Sequence, residues 1–215
     1  LPASRLTAFQ QEVLREFFRR EDRFFLTGGG ALAGFHLGHR DTLDLDLFTT
    51  TAPIDDASKA LADLARTLGA SLEQLRSAPD FRRTLLTRGR ESVVVDTVFE
   101  RVPQLIQDKP VVAGIRVDPP AEILANKLCT LLSRAELRDL VDVWALEGAG
   151  YRMENALPAA AQKDGGLTPA QLAWVLSEVR IGDDAKPPGG VDVVTLRTYL
   201  SSLVARLTAL ARPPV

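Results

Sequence analysis

Apolar and polar positions along the chain alternate between two periods, and the changes of period mark its elements. Leu6, Phe9, Val13, Leu14 and Phe17 recur at helical spacing, so residues 4–20 are expected to form an amphipathic helix. Phe24, Phe25, Leu26 and Thr27 make a short apolar run that stops at Gly28, Gly29 and Gly30, the pattern of a buried strand ending in a tight turn. Residues 31–37 have helical composition, with Leu32, Phe35 and His36 toward one side and Gly38 as C-cap. From Leu43 to Phe48 the alternation is strict, which predicts a strand with Leu43, Leu45 and Leu47 in a core and Asp44 and Asp46 on the opposite face. A helix over 57–68 follows, then strands over 81–87 and 92–99 joined by a hairpin at Arg88, Gly89, Arg90 and Glu91.

The second half reads as helical. Pro119 and Pro120 stop what precedes them, and residues 121–133 place Ile123, Leu124, Leu128 and Leu131 on one side of a helix. Another helix begins near Arg138. Further helices are expected over 169–179 and 193–210, the last striped by Leu196, Leu200, Leu203, Val204 and Leu207. Gly165–Gly166 and residues 186–190 read as linkers. The order of elements predicts an α+β chain, with a core over residues 1–118 and a helical C-terminal part over 119–215.

The candidate chemistry begins in the first half. Glycines without a Cβ let a phosphate approach backbone N–H groups at a helix start. Asp44 and Asp46 repel each other on a shared strand face unless a cation lies between them, and hard oxygen ligands of this kind suit Mg²⁺. Asp96 interrupts the apolar strand Val93, Val94, Val95, Thr97, Val98; it needs a partner, an exposed position or a metal, or else caps a strand end. Arg40 either contacts a triphosphate or pairs with Asp41 or Asp44. Lys127 falls along the apolar side of its helix and either snorkels or reaches into a site. Asp139 and Asp142 are three residues apart on one helix face, where a first-turn carboxylate also favours the helix dipole.

These residues carry a family resemblance. Gly28 to Ala33, followed by His39, Arg40, Thr42, Asp44, Leu45, Asp46, Leu47 and Phe48, resembles the start of the AbiEii/AbiGii abortive-infection nucleotidyltransferase toxins, members of the DNA polymerase-β-like superfamily. The run Glu122 to Leu128, then Arg134, Arg138, Asp139 and Asp142, is similar to that family's later motifs. The resemblance implies a polymerase-β-like core, a mixed sheet with flanking helices. It also implies NTP-dependent transfer of a nucleoside monophosphate, with Mg²⁺, in a two-metal arrangement, held by Asp44, Asp46 and Asp96. Catalytic roles fall on Asp44, Asp46, Asp96, Lys127 and Asp139, and nucleotide contacts on Gly28, Gly29, Gly30, Arg40 and Lys127. Some relatives extend the 3′ end of tRNA, so tRNA or another RNA is the expected acceptor and a cognate antitoxin the expected partner. Many superfamily members carry Ser or Thr where this chain has Gly30; a hydroxyl contact would then come from Thr27 or Thr42. Two alternatives stand beside this reading. One is nucleotidyl transfer to a protein hydroxyl or small molecule; the other is a catalytically silent nucleotide-binding module.

Composition narrows the setting. The net charge of −2 gives no whole-molecule footprint for nucleic acid. Arg15, Arg19, Arg20 and Arg23, and Arg82, Arg83, Arg88 and Arg90, form local basic groups, but Glu12, Glu16, Glu21 and Glu91 balance them. One cysteine, Cys129, excludes an intramolecular disulfide and reads as a small buried hydrophobe. His36 and His39 have no third ligand nearby for zinc. No apolar run reaches a membrane span and the N-terminus has no signal-peptide pattern, so a cytoplasmic setting is expected.

Overall fold

The structure, a computed structural model, describes residues 3–212. It divides into two compact units: residues up to Val102 with Ile106–Pro119, and Pro103–Leu105 with Pro120 onward.

The first unit opens with helix α1, Ala8–Phe18. The helix starts later than hydrophobic spacing alone predicts, because Thr7 and Gln10 close a capping box. The Thr7 hydroxyl accepts from the Gln10 N–H at 3.1 Å, and the Gln10 side chain accepts from the Thr7 N–H at 2.8 Å. Phe9, Val13, Leu14 and Phe17 are buried as their spacing requires. Strand β1, Phe25–Thr27, runs into a single helical turn, α2, Gly28–Ala31, which widens into a π-helical turn over Leu32–His36. Helix and glycine turn are thus one element: the glycines are its first turn, not a loop before it.

Strand β2 spans Asp44–Thr49, helix α3 spans Ile54–Leu68, and β3 (Ser71–Ala78), β4 (Phe81–Arg88) and β5 (Glu91–Phe99) follow. Gly69, at φ 62°, ends α3 in the left-handed conformation that glycine adopts without strain. Two short strands, β6 (Val111–Val112) and β7 (Ile115–Arg116), form a separate ribbon. The main sheet is mixed, in the order β1-β2-β5-β4-β3, with β2 and β5 parallel and the other neighbours antiparallel.

Helices α1 and α3 pack against one face of this sheet. Leu45, Leu47, Leu86, Val93 and Val95 are buried on that face, each adding about 1.5–3 kcal/mol of apolar burial. Leu43 departs from the expected alternation. It is 85% exposed, because β2 begins only at Asp44 and Leu43 belongs to the preceding turn. The unforeseen β3 is an edge strand exposed along almost its whole length, with a bulge between Gln74 and Arg76; it buries no face and so leaves no alternating pattern to read.

The second unit is helical: α4 (Pro120–Ser133), α5 (Leu137–Gly148), α6 (Met153–Lys163), α7 (Pro169–Ser177) and α8 (Val193–Leu210). Thr168 and Asp192 cap α7 and α8 by accepting from the N–H groups of Gln171 and Thr195. Leu196, Leu200, Leu203 and Leu207 bury the predicted stripe of α8. Glu147 joins α5 to α8 by accepting from Tyr199 at 2.7 Å and pairing with Arg206 at 2.6 Å. Helix α6 escaped the sequence reading because Pro158 lies within it and alanines make up much of its length. Among the described residues, no helix is long and apolar enough to cross a membrane.

Candidate active site

In the first unit, strand registry decides which side chains share the open sheet face. Asp46 lies opposite Thr27 on one side and Asp96 on the other; Asp96 lies opposite Arg83, and Arg83 opposite Arg76. One row therefore crosses all five strands as Thr27, Asp46, Asp96, Arg83, Arg76. Asp44, two residues before Asp46 on β2, projects to the same face. All three acidic positions singled out on β2 and β5 come together on the face that α1 and α3 leave uncovered.

Asp96 is buried, and an arginine meets the demand for a partner. Arg83 donates from Nε to Oδ1 at 2.8 Å and from Nη2 to Oδ2 at 2.6 Å, a two-pronged pair in which guanidinium and carboxylate lie fork to fork. These bonds hold the Arg83 pKa above its ordinary value, aided by the charges of Asp96, Asp44 and Asp46.

The glycine turn serves these side chains directly. Gly28 has φ +61°, and a Cβ there would stand 2.5 Å from Asp46 Oδ2. A Cβ on Gly29 would stand 2.7 Å from Arg40 Nη2, and one on Gly30 would meet Leu26 at 3.2 Å. Side chains at Gly28 and Gly29 would thus collide with the protein's own Asp46 and Arg40. Arg40 is buried beside the turn, where Nη1 also donates to the Asp41 carbonyl at 3.0 Å. Thr42 donates to Asp44 Oδ1 at 3.0 Å and orients that carboxylate. Gln10 of α1 in turn fixes Thr42, donating to its carbonyl at 2.9 Å. The Thr27 hydroxyl is committed elsewhere, donating to Asp118 Oδ2 at 2.6 Å.

Asp118 anchors the back of this turn and drew no attention in the sequence. Fully buried, it pairs with the equally buried Lys109 at 2.8 Å, and its carbonyl bonds His36 at 2.8 Å. Burial pushes the His36 ring below its ordinary pKa, against that backbone bond. His36 is therefore a packed structural residue.

In the second unit, Lys127 is buried and does not snorkel. Its ammonium donates to Asp139 Oδ1 at 2.7 Å and lies 2.6 Å from Asp142 Oδ2, joining α4 to the first turn and a half of α5. Arg134 adds a second cation on Asp139 at 2.9 Å. Burial pushes the Lys127 pKa down, but the charges of Asp142 and Asp139 outweigh it and hold it above the ordinary value. Burial likewise pushes Asp139 up, and Lys127 and Arg134 outweigh it and hold that carboxyl low. Asp142 proves as much a member of this cluster as Asp139.

The model of the nucleotidyl transferase AbiEii toxin family, of type IV toxin–antitoxin systems, matches residues 12–186. The chain belongs to that family. It is an AbiEii-family nucleotidyltransferase, and its fold has solved counterparts. The crystal structure of JHP933 from Helicobacter pylori superposes with a TM-score of 0.58 at 17% identity, covering 93% of this chain and 88% of that one. An H. pylori protein provisionally described as a nucleotidyltransferase gives 0.54 at 16% identity, covering 94% and 95%. At this identity the likeness concerns the fold. No curated protein gives a significant sequence match.

Against the metal chemistry expected of this AbiEii-family chain, the residues divide. Asp44 and Asp46 fit: they are paired oxygen donors on one face, one oriented by Thr42 and the other seated against Gly28. Asp96 is in register with Asp46, but Arg83 binds both its oxygens. No group of three or more His, Cys, Asp or Glu side chains stands ready to hold a metal among the described residues. The basic groups are largely neutralised, with Arg20 paired to Glu16, Arg88 to Glu12 and Glu91, Arg23 to Glu21 and Asp56, and Arg82 to Asp55. Cys129 donates to the Ala160 carbonyl at 3.5 Å, a packing role. Arg83 was visible in the sequence only as one of four arginines near a hairpin; counting registry from Gly89 would have set it opposite Asp96.

Proposed function

We propose that this AbiEii-family enzyme moves a nucleoside monophosphate from an NTP to RNA, with the 3′ end of tRNA as acceptor. It acts as the toxin of a toxin–antitoxin or phage-defence pair whose cognate antitoxin restrains it in the cytoplasm. The observation that carries this reading is the convergence of Asp44, Asp46 and Asp96 on one open sheet face beside a glycine turn built to receive Asp46. Asp44 and Asp46 would hold Mg²⁺, with Asp96 as the third carboxylate of the site. When bound, the cation supplies charge neutralisation on the triphosphate and a lowered pKa for the attacking hydroxyl. The chain's own contribution is placement. Gln10 and Thr42 fix Asp44, Gly28 leaves room for Asp46, and Arg40 lies against Gly29, where its charge would favour a triphosphate. Within its unit, the Lys127 ammonium already serves Asp139 and Asp142, which favours an organising role over direct phosphate contact.

The test is to incubate protein and Mg²⁺ with each α-labelled NTP and total bacterial RNA, then resolve RNA and protein on one gel. Label in a tRNA-sized band supports the proposal and names the base. Label in a protein band moves the acceptor to a polypeptide, and label in neither removes RNA from the reading.

A further inference from the structure

The Arg83–Asp96 pair places a cation where the proposed reaction needs a different one. Both oxygens of Asp96 are engaged, at 2.8 and 2.6 Å, and a bidentate guanidinium uses the same lone pairs that a metal would. We propose that Arg83 is a displaceable latch on the carboxylate site: it neutralises Asp96 while the site is empty and yields that carboxylate when a divalent cation binds at Asp44 and Asp46. The inference rests on the metal reading given above and adds a residue that this reading does not contain.

Three features of the structure support displacement over a permanent structural pair. First, the partners differ in freedom. The Asp96 side chain is 9% exposed and fixed within a central strand, whereas Arg83 is 44% exposed, so its head can swing into water without moving β4. Second, strand registry sets Asp46 and Arg83 on opposite sides of Asp96 in the same row, so the guanidinium competes with a cation held at Asp46 for the same carboxylate. Third, release is compensated on both sides. The half-exposed guanidinium regains water, and a dication relieves the mutual repulsion of Asp44, Asp46 and Asp96 more than the single charge of Arg83 does. A dication and a guanidinium also repel each other, so binding of one favours departure of the other.

The experiment reads metal binding directly, in the absence of nucleotide and of turnover, by following free Mn²⁺ by electron paramagnetic resonance as protein is added. A hydrogen bond to a charged group is worth roughly tenfold or more in an equilibrium constant. Arg83→Gln is therefore expected to bind Mn²⁺ about tenfold more tightly than wild type, and Asp96→Asn in that background should erase the gain. Arg83→Lys keeps the charge without the fork and should fall between the two, which preserves the test if the glutamine variant folds poorly. Arg76→Gln is the control for net charge, since Arg76 stands next in the row and lies over the Phe81 ring at 5.9 Å. It should leave binding within about twofold of wild type, because a charge on a neighbouring strand is screened by solvent.

Equal Mn²⁺ affinity in wild type and Arg83→Gln, with binding lost in Asp46→Asn, would overturn the latch and leave the metal reading standing. Equal tightening by Arg76→Gln and Arg83→Gln would also overturn it, by reducing the effect to overall charge. No Mn²⁺ binding by any of these proteins would overturn latch and metal reading together.

Discussion

Replacing Lys127 by methionine removes the cation shared by two fully buried carboxylates and keeps most of the side chain's length. In the native protein the ammonium lies 2.7 Å from Asp139 and 2.6 Å from Asp142. Arg134 still serves Asp139 in the variant, but neither carboxylate keeps the buried ammonium that they share. Breaking a buried pair from one side costs about 3–5 kcal/mol, because the remaining charge stays desolvated. With a urea slope of about 2 kcal/mol per molar, the midpoint should fall by roughly 2 M. Both tryptophans of the chain, Trp144 and Trp174, lie in the second unit, so intrinsic fluorescence reports unfolding where the change is made. Adding Asp142→Asn to Lys127→Met should recover part of the loss, since one of the two fully buried carboxylates then carries no charge. A midpoint shift below about 0.5 M for Lys127→Met would refute the reasoning, for the pair would then contribute like an exposed one.

Other consequences are as direct. Gly28→Ala forces a Cβ both into a left-handed conformation costing about 1–2 kcal/mol and against the Asp46 carboxylate, so it should lower stability and nucleotide incorporation together. Gly29→Ala meets the far end of the Arg40 side chain at 2.7 Å and the Thr42 hydroxyl at 3.4 Å and gains helix propensity, so its unfolding free energy should stay within about 1 kcal/mol of wild type; equal damage from the two substitutions would contradict the geometry. Asp118→Asn takes the counter-charge from buried Lys109 and should cost about 3–5 kcal/mol in urea unfolding. Asp139 has a folded pKa below its unfolded value, so its contribution is complete above the ordinary carboxylate pKa of about 4 and fades as pH falls through the lowered one. Acid titration of tryptophan fluorescence should show unfolding of the second unit at higher pH in Lys127→Met than in wild type.

Elements whose burial follows one period were legible in the sequence. Helix α8 begins and ends where its leucine stripe predicts, and β2, β4 and β5 were placed within a residue or two. Strand β3 was not legible because both its faces meet water, and α6 was hidden by Pro158. At the candidate site, the carboxylates could be found because charge in an apolar alternating strand is conspicuous. Their partners could not, because Arg83 reaches Asp96 across a strand pair and Lys109 reaches Asp118 through a loop. Such contacts depend on registry and chain path, which local pattern does not encode. The glycines were noticed for the right reason, a missing Cβ, but what fills the space became visible only once β2 was folded against them.

The central claim is that Asp44 and Asp46 organise nucleotidyl transfer on the open face of the sheet. Its most direct test is incorporation of α-labelled nucleotide into RNA by wild type and by Asp46→Asn, at equal concentration and with unfolding midpoints measured on the same samples. The account predicts that Asp46→Asn keeps the wild-type midpoint and loses incorporation. Incorporation by Asp46→Asn at the wild-type rate would contradict it.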